Sequence, residues 1–258
     1  MACSNTDCVI GKVGGVVFIK NRVSSRRGLV FVGGLGDSIL SNYVPDLMWY
    51  GEKNDLEVVS VGLRSFPHYG MHLIDDDVED VESVYRHCGM ERYEKVFIMG
   101  HSTGCQVLML YSALKNIKNA VFILQGPVSD REYEEAGNSR LEEQLEVARQ
   151  TEGVLPFKRD GEYVLARRFL DLFEKNGKED FFSIGSETSH LNPYFVPTYA
   201  ILSENDEYAV APVEKVREQI GKIKGMKKVY VAPASHTFLG NENCLISIIE
   251  EITKKLEG

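Results

Sequence analysis

The feature that most constrains this chain is the stretch 94–108, EKVFIMGHSTGCQVL. Val96, Phe97, Ile98 and Met99 form an unbroken apolar run, which reads as a strand covered on both faces. From Thr103 onward the apolar residues Val107, Leu108, Leu110 and Tyr111 recur at helical spacing. Between strand and helix lies Gly100-His101-Ser102-Thr103-Gly104, a G-x-S-x-G pattern. In so tight a turn, side chains two residues before or after the serine would crowd the backbone, so glycine stands at both places. The pattern predicts a serine held in a strained conformation with its hydroxyl projecting from the sheet. Its place at a helix start also lets backbone N–H groups face a developing anion.

The flanking sequence supplies a sheet for this turn. Apolar runs at 14–20, 28–33, 56–63 and 119–128 read as further strands, and amphipathic patterns at about 38–50 and 75–88 as helices. Pro45 is a possible break in the first helix. Strands that alternate with helices indicate a mostly parallel sheet with helices on both faces. The alternation stops at Ser129. From there to Pro193 no strand is evident; Leu141, Leu145 and Ala148 mark one amphipathic helix, and Ala166, Phe169, Leu170 and Phe173 another. So long an interruption predicts a helical cap inserted at about 129–195 in a single domain over 1–258. Phe169 and Phe173 are candidates for either the pocket side or the cap core, as are Phe181, Phe182, Tyr194 and Phe195 where the chain leaves the insert. Strands at 199–203 and 228–232 and a helix at about 212–223 resume the series. A final helix carries Leu245, Ile248, Ile249, Ile252 and Leu256 on one stripe.

Composition removes several classes of function. A net charge of −9, with no basic stripe, argues against a nucleic-acid partner. No apolar run reaches the ~18 residues of a membrane span, and MACSNTDCVI lacks the basic and apolar parts of a signal peptide. Cys3, Cys8, Cys88, Cys105 and Cys244 are an odd number at scattered spacing with no C-x-x-C, which points to a reducing compartment and a cytoplasmic location. Cys105 reads as packing. Asp75, Asp76 and Asp77 lack the spacing and central glycine of a calcium loop and read as carboxylates favoured by a helix N-terminus.

A serine hydroxyl becomes a nucleophile when a neutral imidazole takes its proton, and the imidazole needs an acid to fix its tautomer. His101 adjoins Ser102, but neighbouring side chains at a sharp turn point apart. His68 and His72 lie in a loop after an earlier strand, His87 on a helix and His190 in the insert. His236 follows the last strand, on a loop at the same sheet edge as Ser102, and is the preferred base. Asp206 stands after the preceding strand and is the preferred acid; Glu204, Glu207 and Asp130 are alternatives. Acyl transfer also needs two backbone donors for the oxyanion. Thr103 N–H is one, and the cluster Gly33-Gly34-Leu35-Gly36 supplies the other, with Leu35 N–H the expected donor.

GHSTGCQ at 100–106, FVGGLGDS at 31–38, GPVSDREY at 126–133 and ENDEY at 204–208 together resemble an α/β-hydrolase family related to siderophore esterases. The resemblance runs from about Val17 to the C-terminus. It implies the α/β-hydrolase fold and a triad of Ser102, Asp206 and His236, in the chain order of that superfamily. The combined expectation is a serine hydrolase that cleaves a small-molecule carboxylic ester or thioester, with no cofactor and no metal. The rival is a ligand-binding or scaffold protein that keeps the fold without turnover. Acyl length, leaving group and oligomeric state are left open by the sequence.

Overall fold

The structure is a computed structural model that describes residues 7–187 and 191–255. Its centre is an eight-stranded sheet in the order β1-β2-β4-β3-β5-β6-β9-β10. The strands are β1 (Cys8–Val13), β2 (Val16–Asn21), β3 (Arg27–Val32), β4 (Glu57–Gly62), β5 (Lys95–His101), β6 (Ala120–Gln125), β9 (Thr198–Ser203) and β10 (Met226–Ala232). From β4 to β10 every neighbouring pair is parallel, while β1 and β2 add antiparallel strands at one edge. Strand β1 is an addition to the sequence reading. It pairs with β2 through a turn at Gly14-Gly15, both at positive φ, a hairpin connection that glycine permits.

The two-residue period of the strands feeds two apolar layers. Val30 and Val32 of β3, Val96 and Ile98 of β5, and Phe122 and Leu124 of β6 face one side. There they meet α2 (Ile74–His87), α3 (Thr103–Leu114) and α7 (Val213–Gly221) through Val78, Val81, Val84, Leu108 and Ile220. Leu29 and Phe31, Phe97 and Met99, and Val121 and Ile123 face the other side. Their partners are Val44, Leu47 and Met48 of α1 (Val44–Lys53) and Leu245, Ile249 and Ile252 of α8 (Glu242–Lys254). Strands covered on both faces need apolar residues at every position, which is why they read as unbroken runs. This is the α/β-hydrolase fold. Pro45 does not break α1 but sits in its first turn, where the missing N–H costs nothing. At α2 the Asp76 carboxylate accepts the Leu73 N–H at 2.9 Å, so one of the three aspartates caps the helix.

Between β6 and β9 the insert differs from the expectation of two helices and no strand. It contains α4 (Asp130–Gly137), α5 (Leu141–Gln150), a hairpin of β7 (Val154–Arg159) and β8 (Glu162–Leu165), and α6 (Ala166–Phe173). The hairpin escaped notice because β7 has alternating, mostly solvated residues and turns at Asp160-Gly161, both at positive φ. Phe169 and Phe173, each 1% exposed, pack with Leu141, Leu145, Leu155 and Leu172 and with Tyr69 from the segment after β4, and are not among the residues that line the cavity holding Ser102. Phe182 joins the sheet-side core instead, while Tyr194 and Phe195 are exposed. Cys3, His190 and Leu256 lie outside the described residues; the four described cysteines are free.

Candidate active site

Strand β5 ends at His101 and α3 starts at Thr103, so the whole reversal falls on Ser102. Its backbone is at φ 53°, ψ −124°, a region that a residue with a Cβ enters only when its surroundings hold it there. Those surroundings are backbone. A Cβ on Gly100 would lie 2.5 Å from the Gly104 carbonyl oxygen, and one on Gly104 2.3 Å from that of Val32. The Ser102 N–H donates to the Gln125 carbonyl at 2.9 Å, tying the turn to β6. The thiol of Cys105 is buried against the Gly100 and Gln125 carbonyls, and burial pushes it well up, so it is a packed thiol.

The loop after β3 passes so close that a Cβ on Gly34 would come within 2.8 Å of the Ser102 Cβ. Asp37 shapes this loop: its carboxylate accepts the Gly34 N–H at 2.8 Å and the Asn42 amide at 3.0 Å. Gly34 is therefore occupied as a donor. Among the described residues no hydrogen bond runs from the Leu35 N–H, and Thr103, as the first residue of α3, has no helical carbonyl to donate to. Both residues line the same cavity as Ser102.

His236 follows β10 and Asp206 follows β9, adjacent parallel strands that deliver both loops to one edge. The imidazole Nδ1 lies 2.8 Å from Asp206 Oδ2, with side chains 3% and 4% exposed. The other Asp206 oxygen accepts the Tyr208 N–H at 3.0 Å, which fixes the carboxylate. Of the alternative acids, Glu207 accepts the His236 backbone N–H at 2.9 Å and does not reach the ring. Glu204 is exposed, and Asp130 is held by the Gln106 amide at 2.7 Å, its carboxyl raised by burial. His236 Nε2 is buried with no hydrogen-bond partner, so no bond to Ser102 is closed, although both residues line one cavity of about 960 Å³. Such contacts commonly tighten only when substrate is bound.

His101 is also in this cavity, in a different capacity. Its Nδ1 lies 2.5 Å from Gln125 Oε1, and the same oxygen accepts from the Tyr43 hydroxyl. The oxygen can only accept, so the His101 proton sits on Nδ1. Burial, then the neighbouring His236, pushes this imidazole down to about 4, which keeps it neutral. Its ring centroid is 4.9 Å from that of His236, and the Gln125 amide donates to the His236 carbonyl at 2.9 Å. Sequence reasoning missed Gln125, Asp37 and Tyr43. The available signals were a polar residue closing the apolar run AVFILQ and an acid directly after GGLG. His68 is exposed and pairs with Glu162, and neither it, nor His72 just before α2, nor His87 at the end of α2 lines the cavity that holds Ser102. Among the described residues no group of acids, histidines and cysteines is arranged to hold a metal, and no helix is long and apolar enough to cross a membrane.

The family described as "Protein of unknown function (DUF1749)" matches residues 13–232. The chain belongs to the DUF1749 family. A UPF0613 protein of Schizosaccharomyces pombe is 30% identical over 233 residues, which cover 75% of this chain and 72% of that one. The fusarinine C esterase sidJ of Aspergillus fumigatus is 26% identical over 147 residues, 45% of this chain and 42% of that one. Among solved structures, the siderophore hydrolase EstB from Aspergillus fumigatus superposes on this DUF1749 chain with a TM-score of 0.75 at 20% identity, covering 98% and 99% of the two chains. At that identity the superposition establishes the shared fold.

Proposed function

We propose that this DUF1749 protein is a serine hydrolase that cleaves a carboxylic ester or thioester through an acyl-enzyme. The observation that carries the reading is a serine in a strained elbow at the rim of a cavity that also holds a buried His236–Asp206 pair at 2.8 Å. That two similar proteins are named as an esterase and a siderophore hydrolase supports hydrolysis of an ester as the reaction class.

In this reading Ser102 Oγ attacks the substrate carbonyl carbon while His236 Nε2 takes its proton. Asp206 holds the Nδ1–H tautomer and stabilises the imidazolium. The carbonyl oxygen becomes an oxyanion between the Leu35 and Thr103 amides, which are fixed before the charge develops. Collapse of the tetrahedral intermediate expels the alcohol or thiol, which receives the proton from His236. Water then repeats the sequence on the acyl-serine and releases a carboxylic acid. The segment at about 129–195 acts as a cap on a single hydrolase domain. Its α4 and hairpin line the cavity through Asp130, Tyr133, Glu134 and Arg159. Pre-steady-state hydrolysis of an activated aryl ester tests this: a burst of one phenol per chain is expected, and steady release with no burst and no dependence on Ser102 would count against it.

A further inference from the structure

The cavity above Ser102 has an acidic lining. Its walls carry the carboxylates of Asp37, Asp130, Glu134, Asp160 and Glu207 against a single guanidinium, Arg159. Arg159 is already committed: it binds Glu134 through two nitrogens, at 3.1 and 2.8 Å, lies 3.1 Å from Asp160, and donates to the Tyr69 hydroxyl. The other three carboxylates are not ion-paired to Lys or Arg among the described residues. Asp37 and Glu207 accept backbone N–H groups, and Asp130 accepts the Gln106 amide, with Arg159 and Arg168 acting on it through space. Fields from charges of one sign add inside a cleft with low-dielectric walls.

Two tyrosines stand at the same place. Tyr133 and Tyr208 line the cavity with rings 5.1 Å apart, each 41% exposed, and Tyr208 lies edge-on to His236 at 4.8 Å. Asp130 and Tyr133 are one helical turn apart at the start of α4, which puts both on the same face. A carboxylate beside exposed aromatic faces attracts an ammonium group by charge and by the ring quadrupole. Ser102 and His236 line the same cavity, which places such a group beside the reacting serine.

We propose that the substrate is an ester bearing an ammonium group, seated between Asp130 and the Tyr133–Tyr208 pair. The inference rests on the ester-hydrolase reading and names the substrate's charge. The same field disfavours an anionic substrate and drives a carboxylate product out of the cavity after deacylation.

Two isosteric pairs test it, with the charge on either side of the ester: 1-naphthyl β-alaninate against 1-naphthyl butyrate, and butyrylcholine against 3,3-dimethylbutyl butyrate. In at least one pair the cationic member should have the higher kcat/KM by about tenfold or more, the scale of one charge-assisted contact. That ratio should shrink as salt is raised to about 0.5 M, because screening then acts over a few ångströms. Asp130→Asn should lower the cationic-to-neutral ratio about tenfold. Calorimetry with Ser102→Ala, which binds without turning over, separates the two levels of the reading. Tighter binding of the cationic member with no wild-type turnover would overturn ester hydrolysis and leave the charge preference standing. Equal kcat/KM within both pairs would overturn the charge preference and leave ester hydrolysis standing. A loss in Asp130→Asn shared equally by both members would remove Asp130 from recognition.

Discussion

The sheet edge and the insert are held together by different physics. At the edge, Leu35, Ser102 and Asp206 stand on short loops after β3, β5 and β9, whose residues are almost all buried, and His236 follows the more exposed edge strand β10. The insert's apolar cluster around Phe169 and Phe173 also takes in Tyr69 and packs against Leu35, and buried charged groups add a second kind of attachment. Arg168, fully buried on α6, lies 3.2 Å from Glu179 and 4.0 Å from Asp77 of α2. Lys178 reaches Asp75 at the start of the same helix. Burial pushes Glu179 up to about 8 and Asp77 to about 6. The contrast points to a division of labour: the edge holds atoms for chemistry, while the insert, with its buried charges, shapes the lining.

The sharpest way to break this division is at the edge. His236→Gln should reduce ester turnover by about 10⁴ or more in a protein that circular dichroism shows still folded, since the nucleophile loses its base. His101→Gln should retain a measurable fraction, because His101 is hydrogen-bonded to Gln125 and not to an acid; equal losses in the two variants would reverse the choice of base. Next in size is the second oxyanion donor. Leu35→Ala keeps the N–H and should cost little, whereas Leu35→Pro removes it and should cost about 10²–10³ in kcat. Circular dichroism must show the proline variant folded, and a folded variant at full rate would send the search to Gly36.

The insert should respond in the opposite currency. Phe169→Ala should destabilise the protein by about 3–5 kcal/mol through the cavity it leaves, with cleavage of a small acetyl ester retained below the melting transition. Loss of that cleavage in the folded variant would show that edge and insert are coupled. The smallest effect is a pH dependence of stability. Glu179 and Asp77 have folded values above their unfolded ones, so the folded state holds extra protons. Their contribution is complete below the ordinary carboxylate range and is lost as pH rises through about 6 and then about 8. Glu179→Gln should flatten the fall in melting temperature between the ordinary carboxylate range and about pH 8. His101 works in the reverse sense: its lowered value adds stability above the usual histidine range, lost on acidification toward about 4.

The same contrast explains what the sequence revealed. The strands β3 to β6 were legible because double burial leaves a run such as VFIM with no polar interruption, and the elbow because its tight turn admits only glycine at 100 and 104. Strand β1 was hidden by its exposed, alternating residues at the sheet edge. The insert's hairpin was hidden in the same way. Arg168 sits in the helical pattern ARRFLDLF like a surface residue; its partners Asp77 and Glu179 are distant in sequence, so no local pattern marks it as buried. Gln125 is equally nonlocal, since its meaning comes from Tyr43, His101 and His236 meeting around it.

The account stands on Ser102 as the covalent nucleophile, and the most direct test is to treat the protein with an alkyl fluorophosphonate and map the adduct by peptide mass spectrometry. One adduct per chain is expected, on the peptide that contains Ser102, absent from a folded Ser102→Ala protein and much slowed in His236→Gln. An adduct on another residue, or undiminished labelling of Ser102→Ala, would contradict it.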